Sequence, residues 1–301
     1  MEIDTVLKSV VTVQANIPED GFTASILGTE RSGSGIVIRD NGLVLTIGYL
    51  ITEAETIWLT TRGGRVVPGH ALAYDRGPGF GLGRALGRRD LPAVRLGQSG
   101  KAEVGDPVTL AGGQGDAVEA RIVTKQEFAG YWEYLLDEAI FIAPAHPSWG
   151  GAGLFNADGD LIGIGSLLLQ MASKGETQDI NMVVPVDILR PILDDLLNRG
   201  QVDRPPRPWL GVYSAESDGK VVTINVDRRG PAAAAGLRQG DIVTDVRNLE
   251  VEGLADFYRK LWASGPAGTE IPIRIVRDRR DMWLRIKSTD RNSYLKKPVL
   301  Q

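Results

Sequence analysis

Three stretches decide the fold of this chain: Gly-Ser-Gly-Ile-Val-Ile at 33–38, Gly-Leu-Val-Leu-Thr at 42–46, and Pro-Ser-Trp-Gly-Gly-Ala-Gly-Leu at 147–154. The first two are short apolar runs separated by Asp40-Asn41-Gly42, a sequence typical of a tight turn. The third is a glycine-rich turn that leads into another apolar run. Short apolar runs joined by such turns predict β-strands arranged as a sandwich or as a pair of barrels.

The same pattern extends over the first 170 residues or so, in a chain that contains 37 glycines. Strands are predicted at 10–13, 35–38, 43–46, 57–61, 66–73, 108–111, 139–143 and 161–168. A helix is predicted to follow, because Pro185-Val186-Asp187 opens a run in which leucine and isoleucine recur at helical spacing as far as Leu197. Gly200 stands just beyond it, where a left-handed cap is expected.

A linker rich in proline and charge, residues 201–208, predicts a domain boundary because proline keeps the chain extended. Beyond it, strands are predicted at 221–226, 242–246, 270–276 and 282–287, with a helix at 254–264. Residues 230–241 read Gly-Pro-Ala-Ala-Ala-Ala-Gly-Leu-Arg-Gln-Gly-Asp. Residues 291–301 are expected to form an unstructured tail.

Composition excludes several classes of protein. The 301 residues are 43% hydrophobic, carry a net charge of -4 and include no cysteine, so disulfides, thiolate metal sites and cysteine nucleophiles are impossible. The charge gives no reason to expect nucleic acid, and the mixed-sign run at 277–281 is interpreted as a hairpin turn. No apolar run is long enough to span a bilayer. The sequence does not decide the location, which would be the periplasm if a leader has been removed and the cytoplasm otherwise.

These motifs together resemble the bacterial HtrA/DegP family of trypsin-like proteases. In that family the segments read G-S-G-hydrophobic, G-hydrophobic-hydrophobic-L-T-N-x-H, D-hydrophobic-A-hydrophobic-L and G-N-S-G-G-P-L. Residues 230–241 closely match the S-P-A-x-x-A-G-L-x-x-G-D signature of the attached PDZ domains, with Gly230 at the serine position, and residues 91–97 resemble L-P-hydrophobic-A-x-L-G. The resemblance covers about residues 5–290. It implies a mainly β fold, with a double six-stranded barrel at 1–200 split near 97–104 and a small α+β PDZ domain at 209–290.

The residues that carry the family's chemistry are missing from this chain. The histidine position falls on Tyr49, the aspartate position on Gly79 and the serine position on Gly150. A phenol with an ordinary pKa near 10 is almost wholly protonated at pH 7 and makes a poor general base. Neither glycine offers a nucleophile or a carboxylate. The resemblance therefore predicts a protease scaffold without a working triad, a pseudoprotease.

Other residues near these positions leave alternatives open. His146 and Ser148 stand close to Gly150 and are candidates for replacement catalysis, and Asp75 precedes Gly79 by four residues. His70 and His146 are the only histidines, so no metal site and no cofactor is expected. The loop Ser148-Trp149-Gly150 corresponds to the oxyanion loop, and the Gly150-Gly151 turn is expected to keep N–H groups for an oxygen ligand. Trp149 either fills the cleft or is an exposed recognition residue.

The PDZ resemblance gives the positive prediction of function. Such domains bind peptide C-termini by strand addition, with backbone N–H groups holding the terminal carboxylate. The matching loop is Trp209-Leu210-Gly211-Val212, and the resemblance places Phe257, Tyr258 and Leu261 along the groove, although core packing is the favoured interpretation of Leu261.

Three hypotheses for the whole chain follow. The leading one is an inactive HtrA-like protein that binds peptide C-termini or unfolded segments as an adaptor or chaperone-like partner in protein quality control. By resemblance it would be a homotrimer. The alternatives are an active serine endopeptidase that uses non-standard residues, and a structural subunit whose PDZ groove is closed.

Overall fold

The computed structural model describes residues 3–87, 91–173 and 176–296. The chain divides into two compact units. The first unit consists of Met1–Gln126, Glu138–Asp203 and Leu295–Gln301, and the second consists of Glu127–Asp137 and Arg204–Tyr294. The assignment of residues 127–137 to the second unit was not predicted from the sequence, and it matters for the site described below.

The first unit begins with a closed antiparallel barrel. Its strands are β1 (Val10–Asn16), β2 (Glu30–Arg39), β3 (Leu43–Ile47), β4 (Thr56–Thr61), β5 (Val66–Asp75) and β6 (Phe80–Ala85). They follow the spatial order β1-β2-β3-β6-β5-β4. Apolar side chains such as Val11, Leu43 and Phe80 are fully buried inside the barrel, so hydrophobic burial explains the apolar runs read from the sequence.

A second closed barrel follows in the same unit. Its strands are β7 (Pro107–Ala111), β8 (Ala117–Gly130), β9 (Tyr134–Ala143), β10 (Gly153–Phe155), β11 (Leu161–Ser173) and β12 (Glu176–Pro185), in the spatial order β10-β11-β12-β9-β8-β7. Leu110, Ile140 and Leu154 belong to its core. The chain passes between the barrels from Ala85 to Pro107, a stretch that includes the predicted split. The predicted strands are confirmed, whereas β6, β8, β10 and β12 were not predicted.

The helices of the first unit are short: α1 (Ile3–Leu7), α2 (Ala24–Leu27) and α3 (Leu193–Arg199), with 3₁₀ turns at Gly48–Leu50, Ser99–Lys101, Val186–Ile188 and Arg190–Ile192. The single helix predicted from Pro185 is wrong in its first half, which forms two 3₁₀ turns. Pro191 lies within the second turn and cannot donate the backbone hydrogen bond that a continuous α-helix requires. Gly200 caps α3 as predicted, with φ of 71° and its N–H 3.1 Å from the Leu196 carbonyl.

The second unit contains one antiparallel sheet and two helices. The strands are β13 (Val212–Ser217), β14 (Lys220–Val226), β15 (Ile242–Val246), β16 (Leu249–Glu250), β17 (Glu270–Arg277) and β18 (Arg280–Lys287), and the helices are α4 (Pro231–Ala234) and α5 (Leu254–Ala263). The sheet order is β13-β14-β15-β17-β18, with β16 paired to β15. Val243, Phe257 and Ile273 lie in the core between sheet and helix.

The prediction of an unstructured tail is wrong for residues 291–296. Arg291–Tyr294 form a 3₁₀ turn, and the Tyr294 ring packs edge-on against Trp209 with 5.2 Å between centroids. The Lys296 N–H donates to the Glu53 carboxylate at 2.8 Å, within the first unit. The remaining residues of the predicted tail, 297–301, lie outside the described part. Within the described residues, no helix is long and apolar enough to cross a membrane.

Candidate functional site

The structure brings the three predicted triad positions together in the first unit. Tyr49 lies in the 3₁₀ turn that follows β3, and the N–H of its neighbour Gly48 donates to the Gly79 carbonyl at 2.7 Å. A Cβ added to Gly150 would lie 2.8 Å from the Tyr49 hydroxyl. Tyr49, Gly79 and Gly150 are therefore neighbours in space although up to 101 residues separate them in the chain.

The Tyr49 phenol is held as a hydrogen-bond donor. Burial raises the pKa of Tyr49 well above its ordinary value, and a hydrogen bond with the Trp149 side chain offsets only part of that rise. Its hydroxyl donates to the Ser166 carbonyl at 3.1 Å. A phenol that keeps its proton more firmly than usual is a poor general base.

The Trp149 indole lies against this phenol. Trp149 is half-buried, and its side chain is near enough to the Tyr49 hydroxyl to lower the pKa of that phenol. Its carbonyl would lie 2.2 Å from a Cβ on Gly165, so this turn packs tightly against β11. Both interpretations of Trp149, a residue that fills the cleft and an exposed recognition residue, stay predictions.

The glycine turn at Gly150-Gly151 is fixed by its own backbone. The Gly150 carbonyl accepts the Ser34 N–H at 2.8 Å, and the Gly151 N–H donates to the Gly165 carbonyl at 2.9 Å. Gly151 has φ of 77°, and a Cβ there would lie 2.0 Å from the Ser34 carbonyl oxygen. The Gly151 N–H, which was expected to be available to an oxygen ligand, is therefore already hydrogen-bonded to the Gly165 carbonyl.

His146 and Ser148 are close together but do not form a nucleophile and its base. The Ser148 backbone N–H donates to His146 Nδ1 at 2.9 Å, so that nitrogen has no lone pair left for a hydroxyl proton. Nε2 is buried without a hydrogen-bond partner, 3.7 Å from an Asp116 oxygen. The backbone N–H of His146 donates to the side-chain oxygen of Asn181 at 2.6 Å, and this hydrogen bond anchors the loop.

The other polar candidates have structural surroundings. His70 pairs with Arg84 across β5 and β6, and burial, together with the Arg84 charge, lowers its pKa. Asp75 stabilises the turn before β6, because its carboxylate accepts the Gly77 N–H at 3.1 Å and its carbonyl accepts the Gly79 N–H at 2.9 Å. Across the described ranges, no cluster of three or more histidine and acidic side chains is arranged to hold a metal.

The loop of the second unit that is predicted to bind a carboxylate, residues 209–212, has a partner that the sequence did not indicate. The N–H groups of Gly211 and Val212 donate to one oxygen of Glu133 at 2.8 and 3.1 Å, and the Leu210 N–H lies 3.3 Å from both oxygens. Glu133 is only 4% exposed. Three consecutive backbone donors therefore converge on one carboxylate, the arrangement by which such loops hold a chain terminus.

The remaining predicted peptide-binding residues are buried in the same unit. Trp209 packs against Tyr294, and Phe257, Tyr258 and Leu261 belong to the core. Ala129 and Leu135, from the segment that carries Glu133, pack against that core. Sequence reasoning missed Glu133 because it lies 77 residues from Leu210, and no local pattern encodes so distant a contact.

Comparison with known proteins identifies both halves of the chain. The trypsin-like peptidase domain model matches residues 33–164, and the PDZ domain model matches residues 208–287. A putative serine protease, HhoB, from Synechocystis is 23% identical over 86% of this chain and 66% of its own length. A probable periplasmic DegP-like serine endoprotease from Halomonas elongata is 24% identical over 82% of this chain and 54% of its own length. The chain thus spans about half to two thirds of the length of these curated relatives.

Solved structures share the fold. A structure of the HtrA-type protease AlgW with a decapeptide is 20% identical, has a TM-score of 0.57, and is matched over 99% of this chain and 98% of its own. The serine endoprotease of Yersinia pestis is 21% identical with a TM-score of 0.55, over 96% of this chain and 98% of its own.

Proposed function

Since the chain belongs to the HtrA/DegP family of trypsin-like serine proteases with a PDZ domain, we propose that it is a proteolytically silent member that binds peptide C-termini. One observation carries the first half of the proposal. The Tyr49 hydroxyl lies 2.8 Å from where a side chain at Gly150 would begin, so a phenol stands where a base and its nucleophile would meet.

The absence of all three triad side chains supports a lack of proteolytic activity. Acyl transfer of this kind needs an oxygen nucleophile, a base and an anion that orients the base. When the triad is removed from the type enzymes, binding and the oxyanion hole alone leave roughly 10³- to 10⁴-fold acceleration over water. In this chain even the Gly151 N–H is hydrogen-bonded to the Gly165 carbonyl. We therefore expect a residual proteolytic activity no greater than that background.

The alternative function, an endopeptidase using Ser148 and His146, requires a rearrangement. The Ser148 N–H would have to leave His146 Nδ1 before that nitrogen accepted the hydroxyl proton. His146 is fully buried and tied to Asn181, so such a movement would break at least two hydrogen bonds of the loop, which cost about 1 kcal/mol each.

The binding half of the proposal rests on the PDZ domain. Its loop presents three converging N–H groups, and the related AlgW structures were solved with a tripeptide and with a decapeptide. We therefore propose an adaptor or chaperone-like role in protein quality control, exerted on exposed C-termini or unfolded segments. A homotrimer is the assembly proposed by family resemblance.

Restoring the chemistry tests the proposal. The single change Gly150→Ser should not produce casein cleavage, because the new Cβ meets the Tyr49 hydroxyl. The double change Tyr49→His with Gly150→Ser removes that clash and pairs a base with a nucleophile, so it should cleave casein faster than the unmodified protein. Adding Ser148→Ala is the control and should leave that gain unchanged. Casein cleavage by the unmodified protein that Ser148→Ala abolishes would overturn the proposal.

A further inference from the structure

The loop that binds carboxylates is preorganised in the second unit. The carbonyls of Leu210 and Gly211 accept hydrogen bonds from the N–H groups of Ala232 and Asp227 at 2.9 and 2.8 Å. These bonds fix the loop with its own N–H groups free to converge on another acceptor. Gly211 has φ of 77°, a conformation that glycine adopts without strain.

The segment that supplies Glu133 also adds to the edge of the sheet. The Tyr131 carbonyl accepts the Ser214 N–H of β13 at 2.9 Å, two residues before Glu133. The Tyr131 and Tyr213 rings are also in contact, with 6.2 Å between centroids. An extended peptide that pairs with a strand edge while its carboxylate enters a backbone nest makes the same two kinds of contact.

Helix α5 holds the segment from its other side. The Tyr258 hydroxyl donates to the Gly130 carbonyl at 2.8 Å and accepts the Glu133 N–H at 3.2 Å. Arg259 of the same helix forms ion pairs with Glu127 and Asp137, the two ends of the segment. Residues 130–133 therefore lie between β13 and α5, hydrogen-bonded to both.

We propose that residues 130–133 are an internal ligand of the PDZ groove, with the Glu133 carboxylate in the place of a peptide's terminal carboxylate. The inference rests on the proposed peptide binding and adds its regulation. An extended chain with a free α-carboxylate binds only when it displaces Glu133, because three N–H groups cannot serve two carboxylates at once. The groove is thus closed by the chain's own hairpin until a competing C-terminus is present.

Peptide binding to the full chain tests the competition. The probes are fluorescein-labelled octapeptides with free carboxylates, of sequence Gln-Glu-Phe-Ala-Gly-Tyr-Trp followed by Val, Leu, Phe or Ala, and their C-terminal amides. If the displaced state is about 10% populated, Glu133→Ala should lower the Kd of the best free acid about 10-fold. Glu133→Gln should lower it less, Glu138→Gln should leave it unchanged, and the amides should bind no variant tightly. Equal Kd values for the unmodified protein and Glu133→Ala would overturn the inference and leave peptide binding intact.

Hydrogen exchange separates this inference from the proposed function. In the absence of peptide, the amides of residues 210–212 should exchange about 10-fold faster or more in Glu133→Ala than in the unmodified protein. Glu133→Gln provides the same readout with a side chain of equal size. Unchanged protection in both variants would overturn the inference. Lost protection without binding of any free acid would support the internal ligand and overturn external peptide binding.

Discussion

The Gly150 turn of the first unit and the Leu210–Val212 loop of the second both present backbone N–H groups, and they differ in the partners of those groups. In the first, Gly151 donates to the Gly165 carbonyl of β11, and Ser148 donates to the imidazole of His146, which is fully buried. In the second, three N–H groups donate to one side-chain carboxylate. A side-chain acceptor can be displaced from an N–H group by rotation about its own bonds. A backbone carbonyl of the barrel can be displaced only if the turn unfolds. Binding is therefore expected at the second loop.

A matched pair of glycine changes should give the largest difference between the two regions. Gly151→Ala would place a Cβ 2.0 Å from the Ser34 carbonyl, and we expect it to lower the free energy of unfolding of the first unit by about 4 kcal/mol or more. Gly211→Ala, at the same φ of 77°, meets its nearest atoms only at 3.1 Å and should cost the second unit about 1–2 kcal/mol. Urea unfolding, monitored by hydrogen exchange in each unit, measures both free energies of unfolding. Equal costs would remove the contrast.

Removing the internal carboxylate should have the next largest effect. Glu133→Ala leaves three buried N–H groups without an acceptor, so the free energy of unfolding of the second unit should fall by about 2 kcal/mol. A bound free-acid peptide should restore part of the loss, since it supplies another carboxylate. Thermal unfolding with and without the peptide measures this, and a variant as stable as the unmodified protein would argue against the contact.

Glu53 supplies a structural carboxylate in the first unit for comparison with Glu133. Burial alone raises the pKa of Glu53, but hydrogen bonds from the Thr23 hydroxyl and from the N–H groups of Lys296, Thr23 and Phe22 lower it below its ordinary 4.5. Because the folded pKa is depressed, this stabilisation is present above about pH 4.5 and disappears as the pH falls through the folded value.

The substitution Glu53→Gln should therefore flatten the acid side of the stability curve of the first unit. At pH 7 it should cost about 1–2 kcal/mol, since the amide accepts fewer hydrogen bonds than the carboxylate. Added peptide should not change this cost, in contrast to Glu133→Ala. Urea unfolding between pH 3 and pH 7 provides the measurement, and a variant curve parallel to that of the unmodified protein would contradict the assignment.

The smallest effect concerns the phenol in the cleft. Tyr49→Phe removes the hydrogen bond to Ser166 and should cost the first unit about 1 kcal/mol. It should leave casein cleavage at background, because a phenol that keeps its proton is a poor general base. A measurable activity that disappears in Tyr49→Phe would show that the hydroxyl takes part in chemistry.

Features that depend on neighbouring residues in the chain were predictable from the sequence. Turn dipeptides and apolar runs marked most strands, and Gly200 marked the end of α3. The double barrel and the PDZ domain came from the order of family motifs, and so did the choice of Tyr49, Gly79 and Gly150. The 3₁₀ turns around Pro191 were missed because helical spacing of apolar residues does not report a single lost hydrogen bond.

Contacts between distant segments were beyond such patterns. Glu133 reads as one more charged residue in a hairpin rich in aromatic residues, and only the fold places it at Leu210–Val212. Lys296, within the segment expected to be a free tail, donates to Glu53 across 243 residues of sequence. The Gly151 N–H was expected to be available, and its bond to Gly165 depends on how β11 runs beside the turn.

Labelling with a fluorophosphonate, which reacts with an activated serine oxygen, is the sharpest test of whether this chain is proteolytically silent. Intact-mass spectrometry of the unmodified full chain after incubation at pH 7.5 should show no added mass, while Tyr49→His with Gly150→Ser serves as the positive control. Stoichiometric labelling of the unmodified chain that Ser148→Ala removes would show an activated serine and contradict the account.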